Sequence, residues 1–321
     1  MIMEDIKKTI SFAIPCYNSS KTIEYVINEI VSVMSDSKKY DYEIITVIDG
    51  SPDNVFDVLC EMAKINTKIK VINLSKNFGQ ANARMATIRF SSGDYIVCMD
   101  DDGQCPVSEV FRLIEPLENG YDVSYADYPK KKQSLFKNIG SKFNDICTKI
   151  LLDVPKDFRS TNFYAFKRFV CDQIKDYVNP YPYMDGLISQ TTKSMAYVEM
   201  EERERISGKT GYTLKKLISL WLNGVTAFSV IPLRISSFIG VVCAILGFLF
   251  GIVTIIRKLI IKNIQVGWSS TISLIMFVGG LIMLLLGVIG EYLGRIYISI
   301  NNAPQYVVKD TINLNENINR F

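Results

Sequence analysis

Two stretches of this chain run without a charge for longer than soluble helices usually do. Ile235 to Ile256 holds 22 uncharged residues and Asn263 to Gly290 holds 28. Wound as helices they measure roughly 33 and 42 Å, and a bilayer's hydrocarbon core is about 30 Å thick. The alternative is a pair of buried core helices, but uncharged runs of this length are rare in soluble folds. The expectation is two transmembrane helices, at about 235–256 and 267–292. Gly240, Gly247 and Gly251 on the first and Gly279, Gly280, Gly287 and Gly290 on the second are spaced to let helices approach closely, within the chain or between copies of it. The N-terminal MIMEDIKKTI lacks a long apolar core, so no signal peptide is expected.

The rest of the composition narrows the chemistry. Formal net charge is +3, which implies no nucleic-acid partner. Seven cysteines lie scattered with no CxxC spacing, so reduced thiols are expected rather than a disulfide framework or a zinc site. There is no histidine. That excludes His-based metal sites, a Ser-His-Asp triad and any imidazole base.

The first hundred residues alternate strand and helix patterns. Strands are expected at 9–17, 42–48, 70–74 and 95–99. Helices are expected at 21–34, about 53–64 and about 79–90. This alternation argues for a doubly wound, mostly parallel α/β sheet, whose ligands bind beyond the carboxyl ends of its strands. Polar clusters fall at those ends: Asn18, Asp49 to Ser51, and Asp100 to Gln104. Beyond them the pattern loosens. Strands are expected at 122–126 and 160–166, a basic loop at 128–134, and helices at 135–152 and up to about Tyr177. An amphipathic helix follows in 203–225, with Leu214, Leu217, Ile218, Trp221 and Val225 on one stripe. It suits either the membrane interface or packing on its own domain.

The strand YIVCM runs into Asp100, Asp101 and Asp102, then Gly103 and Gln104. Adjacent carboxylates repel. Carboxylates one residue apart, joined by an amide oxygen, are hard ligands suited to Mg²⁺ or Mn²⁺, and such an ion would hold a diphosphate. A solvated acidic turn or helix cap is the competing account.

With these motifs in order, the chain resembles family-two glycosyltransferases of the GT-A fold. More narrowly, it resembles the membrane polyprenyl-phosphate glycosyltransferases, the group of dolichyl-phosphate mannose synthase and the bacterial undecaprenyl-phosphate sugar transferases. The motifs are IPCYN (14–18), IDGSPDN (48–54), NFGQANAR (77–84), MDDDGQCP (99–106), NFYAFKR (162–168), RISGKTGY (205–212) and GEYLGRIY (290–297). The resemblance implies a Rossmann-like GT-A catalytic domain over 1–208 and an amphipathic juxtamembrane region over 209–231. Two transmembrane helices follow within 232–297, and a cytosolic tail over 298–321. It implies a nucleotide-sugar site at Pro15, Tyr17, Asn18, Asp49, Ser51, Asn77, Arg84, Asp100 and Asp101, and a metal on Asp100, Asp102 and Gln104. An acceptor-phosphate site falls on Arg203, Arg205 and Lys209, with Asp100, Asp102 and Arg205 carrying the chemistry. Ile48 stands where the family usually has a base-reading aspartate, Ser19 where an acidic residue usually follows Asn18, and Asn162 where many relatives have aspartate.

The implied reaction is inverting transfer of a sugar from a nucleotide diphosphate, a UDP-sugar by resemblance, to undecaprenyl or a similar polyprenyl phosphate. The product is a lipid-linked monosaccharide for cell-envelope glycan modification. A phosphate monoester has its second pKa near 6, so it is already a nucleophile at pH 7 and a chain without histidine can use it. The rival readings are a degenerate scaffold or lipid-binding homologue, suggested by Ile48, and a processive polysaccharide synthase, for which two spans are too few to line a polymer channel.

Overall fold

The apolar runs of the first half are buried on both sides, as strands of a covered sheet must be. The computed structural model describes residues 7–128, 158–179, 182–206, 231–260, 267–301 and 304–314. The helix expected at 135–152, the basic loop around Lys130, the amphipathic stripe from Leu214 to Val225 and Lys209 all lie outside the described residues. The chain divides into two units: 1–224 together with 303–321, and 225–302.

In the first unit, β1 (Lys8–Cys16), α1 (Ile23–Ser35), β2 (Tyr40–Ile48), α2 (Val55–Ile65), β3 (Ile69–Leu74), α3 (Gln80–Phe90) and β4 (Tyr95–Cys98) follow in regular alternation. Then come α4 (Val110–Glu118), β5 (Val123–Asp127), β6 (Tyr164–Lys167), α5 (Arg168–Ile174), α6 (Met184–Thr191) and β7 (Met195–Glu199). The last strand, β8 (Val308–Ile312), comes after the apolar hairpin in sequence. The sheet order is β7-β5-β6-β4-β1-β2-β3-β8.

Strand periodicity divides the core between two faces. In β2, Ile44 and Ile48 join the larger cluster, with Ile23, Val26, Ile27 and Ile30 of α1. Ile45 and Val47 face the other way, with Ala83, Ala86 and Phe90 of α3. The buried positions of α1, Ile23, Val26, Ile27, Ile30 and Met34, keep the helical i, i+3, i+4, i+7 rhythm.

The sheet is mixed, with four of its seven strand pairs parallel. The pairs β1–β2, β1–β4, β2–β3 and β5–β7 are parallel. β6 lies antiparallel between β4 and β5, and β8 lies antiparallel on β3. Strand direction depends on how the chain re-enters the sheet, which residue periodicity does not encode. From β1 the chain steps outward through β2 and β3, then crosses to β4 on the opposite side of β1. The carboxyl ends of β1 and β4 therefore flank a topological switch point, where open α/β sheets form a crevice.

The second unit is a pair of helices, α7 (Ile231–Ile260) and α8 (Trp268–Ile300), 30 and 33 residues long. Ser236–Val253 and Phe277–Ile298 are long and apolar enough to cross a membrane by length and composition, with mean hydropathy 2.4 and 1.9. A soluble-core role would bury them, yet Phe248 and Met283 are each 71% exposed. Of the spaced glycines, Gly240 faces the partner helix, where a Cβ would stand 3.9 Å from Leu285. A Cβ at Gly247, Gly251, Gly279, Gly280, Gly287 or Gly290 would meet nothing within 4 Å, so close helix approach is not what those six do within this hairpin.

Candidate active site

Four loops meet at the carboxyl ends of β1 to β4, and two glycines let them stack. Gly50 has φ +56°, and a Cβ there would overlap the backbone of Lys76 and Asn77. Gly103 has φ +78°, and a Cβ would overlap the Ile206 side chain. Left-handed backbone and close approach together demand glycine at both positions.

The β2 loop holds the β3 loop through Asp49. This buried carboxylate accepts the backbone N–H groups of Phe78 at 2.6 Å and Gly79 at 2.9 Å. Burial raises its pKa from the ordinary aspartate value, against the pull of those two donors. Its partner in sequence, Ile48, is 2% exposed and belongs to the core. The β1 loop is tied to its neighbours in the same way. The Asn18 N–H donates to Ser51 Oγ at 2.7 Å, and the Ser51 hydroxyl donates to Asp53 Oδ1 at 2.6 Å. Asp53 Oδ2 also accepts the Ser20 N–H, at 2.8 Å. Tyr17 N–H donates to Asp101 Oδ2 at 3.1 Å, and burial pushes the Asp101 carboxyl up to about 6. Tyr17, Asn18 and Asn77 are exposed around this crevice, whereas Pro15 is buried within β1.

The three aspartates thus divide their duties. Asp101 braces β1. Asp100 Oδ1 accepts Arg84 Nη2 at 2.6 Å and Gln80 Nε2 at 3.0 Å, both from α3. Burial raises the Asp100 pKa, as does the nearby Asp102, with Arg84 opposing. Arg84 is no surface arginine: its side chain is 11% exposed, and its Nε is a buried donor without a partner. Asp102 Oδ1 accepts the Gln104 N–H at 3.0 Å, while Oδ2 meets Arg205 Nη2 at 2.9 Å.

Segment 202–206 lies directly on this turn. Arg203 N–H donates to the Gln104 carbonyl at 3.1 Å, and Ile206 N–H to the Asp102 carbonyl at 3.2 Å. Between these anchors, Arg205 donates through Nε and Nη2 to Gln104 Oε1, at 3.2 and 3.1 Å. Arg203 goes elsewhere. Its guanidinium binds Glu29 of α1 at 2.7 Å and Ser108 at 3.0 Å, so it is a strut of the fold and not a partner of Arg205. A cavity of about 230 Å³ opens beside Asp100, Asp102 and Gln104, with Cys105, Tyr128, Ser160, Thr161, Asn162 and Glu202 completing its wall.

Among the described residues no three His, Cys, Asp or Glu side chains cluster as a metal site. The oxygen set that does converge is mixed. Asp102 Oδ2 and Gln104 Oε1 both lie within 3.1 Å of one guanidinium nitrogen, so these two oxygens already serve a common cation. Asp100 stands beside them on the same cavity wall. A hard divalent ion is compatible with such donors.

Several residues that build the site are not among the candidates named from the sequence. Gln80 lies within NFGQANAR and Asp53 within IDGSPDN, so both had a signal. Glu29, 174 residues from Arg203, had none. Nor had Asp185, which is 7% exposed and accepts the Ser160 hydroxyl at 2.6 Å behind the cavity wall.

Comparison with known proteins fits this geometry. The model of glycosyl transferase family 2 matches residues 11–178, and that of the GtrB C-terminal hairpin matches 231–296. An uncharacterized glycosyltransferase of Bacillus subtilis is 34% identical over 93% of this chain and 93% of its own. The bactoprenol glucosyl transferase of Shigella phage SfII is 31% identical over 94% of this chain and 97% of its own. Among solved structures, glucosyl-3-phosphoglycerate synthase from Mycobacterium tuberculosis, crystallised with Mn²⁺ and UDP-glucose, superposes with a TM-score of 0.52. It is 19% identical, over 68% of this chain and 77% of that one, a likeness of fold.

Proposed function

The chain belongs to glycosyl transferase family 2 and carries the GtrB C-terminal hairpin, and from that premise we propose that it transfers a sugar from a nucleotide diphosphate to a polyprenyl phosphate. The donor is a UDP-sugar and the acceptor undecaprenyl phosphate. The configuration at the transferred carbon inverts, and the product is a lipid-linked monosaccharide for the cell envelope. One observation carries this reading. A guanidinium suited to a phosphate sits against the oxygen set suited to the donor's metal, on the segment that leads in sequence toward two exposed apolar helices.

Asp100, Asp102 and Gln104 hold Mg²⁺ or Mn²⁺ in this reading. The ion supplies neutralisation of the diphosphate leaving group. The chain's own groups do the rest. Arg84 fixes Asp100 from α3. Tyr17, Asn18, Ser51 and Asn77 surround the nucleoside crevice, and since Ile48 is core, base recognition falls to these polar groups. Asp49 contributes through the loop it holds rather than by direct contact. Arg205, with Lys209, receives the acceptor phosphate, which attacks as a dianion and needs no general base. The cavity beside Asn162 accommodates the sugar. The catalytic unit faces the cytosol, where nucleotide sugars are made, and the helix pair is anchored in the plasma membrane.

The test is a panel of nucleotide sugars given to the purified full chain with Mn²⁺ and undecaprenyl phosphate, read by mass spectrometry of the lipid fraction. A lipid-linked monosaccharide from at least one donor is expected. Absence of any donor consumption would favour a scaffold, and a growing polymer would favour a processive synthase.

A further inference from the structure

Arg205 occupies an unusual position for a group that is to receive an acceptor. The Nε–Nη2 edge of its fork is already occupied. Nη2 lies 2.9 Å from Asp102 Oδ2 and 3.1 Å from Gln104 Oε1, and Nε lies 3.2 Å from the same amide oxygen. A guanidinium engaged along this edge offers a phosphate Nη1 but not the parallel Nε–Nη2 pair that bidentate recognition uses.

The backbone around it is pinned. Arg203 N–H and Ile206 N–H are bound to the carbonyls of Gln104 and Asp102. The Arg203 side chain is bolted to Glu29 and Ser108. Ile206 rests on Gly103, whose φ of +78° favours glycine. Movement is therefore left to the Arg205 side chain, which is 35% exposed and has solvent on one side.

We propose that Arg205 is the resident cation of the Asp102–Gln104 oxygen pair, that a divalent ion and Arg205 exclude one another there, and that displacement from these oxygens is what delivers the guanidinium to the acceptor phosphate. This rests on Asp102 and Gln104 being part of the metal set. Two cations do not share the same pair of oxygens, since like charges at this spacing repel strongly. With Arg205 in place the carboxylate of Asp102 is neutralised and the turn is quiet. Once the oxygens are taken by a harder cation, the fork is released beside the cavity with its hydrogen bonds unmade. Donor with metal then raises affinity for lipid phosphate, and by linkage lipid phosphate raises affinity for donor with metal by the same factor. Arg205 thus couples the binding of the two substrates.

The experiment is a Mn²⁺ titration of the purified full-length chain with neither donor nor lipid present, read by the electron spin resonance of unbound Mn²⁺. Arg205→Ala removes the competitor and is expected to tighten Mn²⁺ binding by about tenfold, the scale of losing a charge-assisted contact to two ligand oxygens. Arg205→Lys keeps the charge and stays near the wild-type affinity. A second titration uses farnesyl phosphate, with and without UDP and Mn²⁺. The wild type binds it more tightly when both are present, and Arg205→Ala loses that enhancement. Equal or weaker Mn²⁺ binding by Arg205→Ala overturns the proposal while leaving the transfer reaction intact. Undiminished Mn²⁺ binding by Asp102→Asn removes the metal site itself and the proposal with it.

Discussion

At Asp102 one carboxylate oxygen accepts the Gln104 N–H and the other faces Arg205. Asparagine preserves the size and one acceptor, but not the charge that binds a divalent ion. Asp102→Asn is expected to reduce transfer well beyond tenfold, since a lost metal-ligand charge costs several kcal/mol. Its thermal unfolding should stay close to wild type, because the 202–206 segment keeps its two backbone anchors on the Asp102–Gln104 turn when the Arg205 contact weakens. Retention of more than about a tenth of the activity would sink the metal assignment. Asp49 sets the opposite expectation. Both of its oxygens accept backbone N–H groups of the β3 loop. An amide offers one oxygen and turns an NH₂ toward a donor, a mismatch of about 1–3 kcal/mol. Asp49→Asn should weaken UDP binding by roughly ten- to a hundredfold in calorimetry by loosening residues 76–79. Unchanged binding would show that the loop does not depend on it. At this scale the motifs located the site but not every role. The DGS turn marked Asp49, but the backbone donors it accepts from a neighbouring loop are invisible in sequence. Arg203 and Arg205 look alike in RERIS, yet one pairs with Glu29 on a helix far back in the chain.

The first four strands and three helices were legible because each repeats one period cleanly. α4 was not, since Pro116 interrupts its pattern, and neither was β8, a five-residue strand with polar positions far from its partner. β8 nevertheless closes the β3 edge. Val308, Tyr306 and Leu314 pack with Phe78 against the smaller core, and Gln305 donates to the carbonyls of Tyr177 and Asn179. Deleting residues 304–321 should expose that edge and lower stability by about 2 kcal/mol or more, seen as a lower thermal midpoint and self-association. An unchanged melt would mean that β8 is dispensable. Two strands in from β8, Glu43 on β2 gathers Ser11, Ser92 and Lys70. Burial pushes its carboxyl up, but Lys70 and the hydroxyl and backbone donors outweigh burial and hold it below the usual glutamate range. A depressed pKa stabilises the fold above the unfolded value of about 4.5 and loses that contribution as pH falls through the folded value. Below pH about 4.5 the wild type should therefore lose stability more steeply than Glu43→Gln, which has no proton to gain. Parallel acid profiles for the two would remove Glu43 from the account.

For the whole chain, β8 carries a topological argument that charge alone does not. The cationic residues fall on both flanks of the first apolar run: Lys209, Lys215, Lys216 and Arg234 precede it, while Arg257, Lys258 and Lys262 lie between the two runs. The positive-inside tendency therefore gives a weak answer. The sheet gives a stronger one. The chain leaves the first unit ahead of α7, and 304–314 returns to it as the edge strand on β3. A strand cannot pair with a sheet on the far side of a bilayer, so if the helix pair crosses one, both its flanks lie on one side. Two spans satisfy this requirement and one does not. If that side is the cytosol, Lys309→Cys, exposed on β8, should resist a membrane-impermeant maleimide in intact cells and react after permeabilisation. Asn263→Cys, between the two helices in sequence, should react from outside in intact cells. Labelling of Lys309→Cys from outside would place the sheet outside with it, cut off from cytosolic nucleotide sugars, and would overturn the proposed donor as well as the orientation.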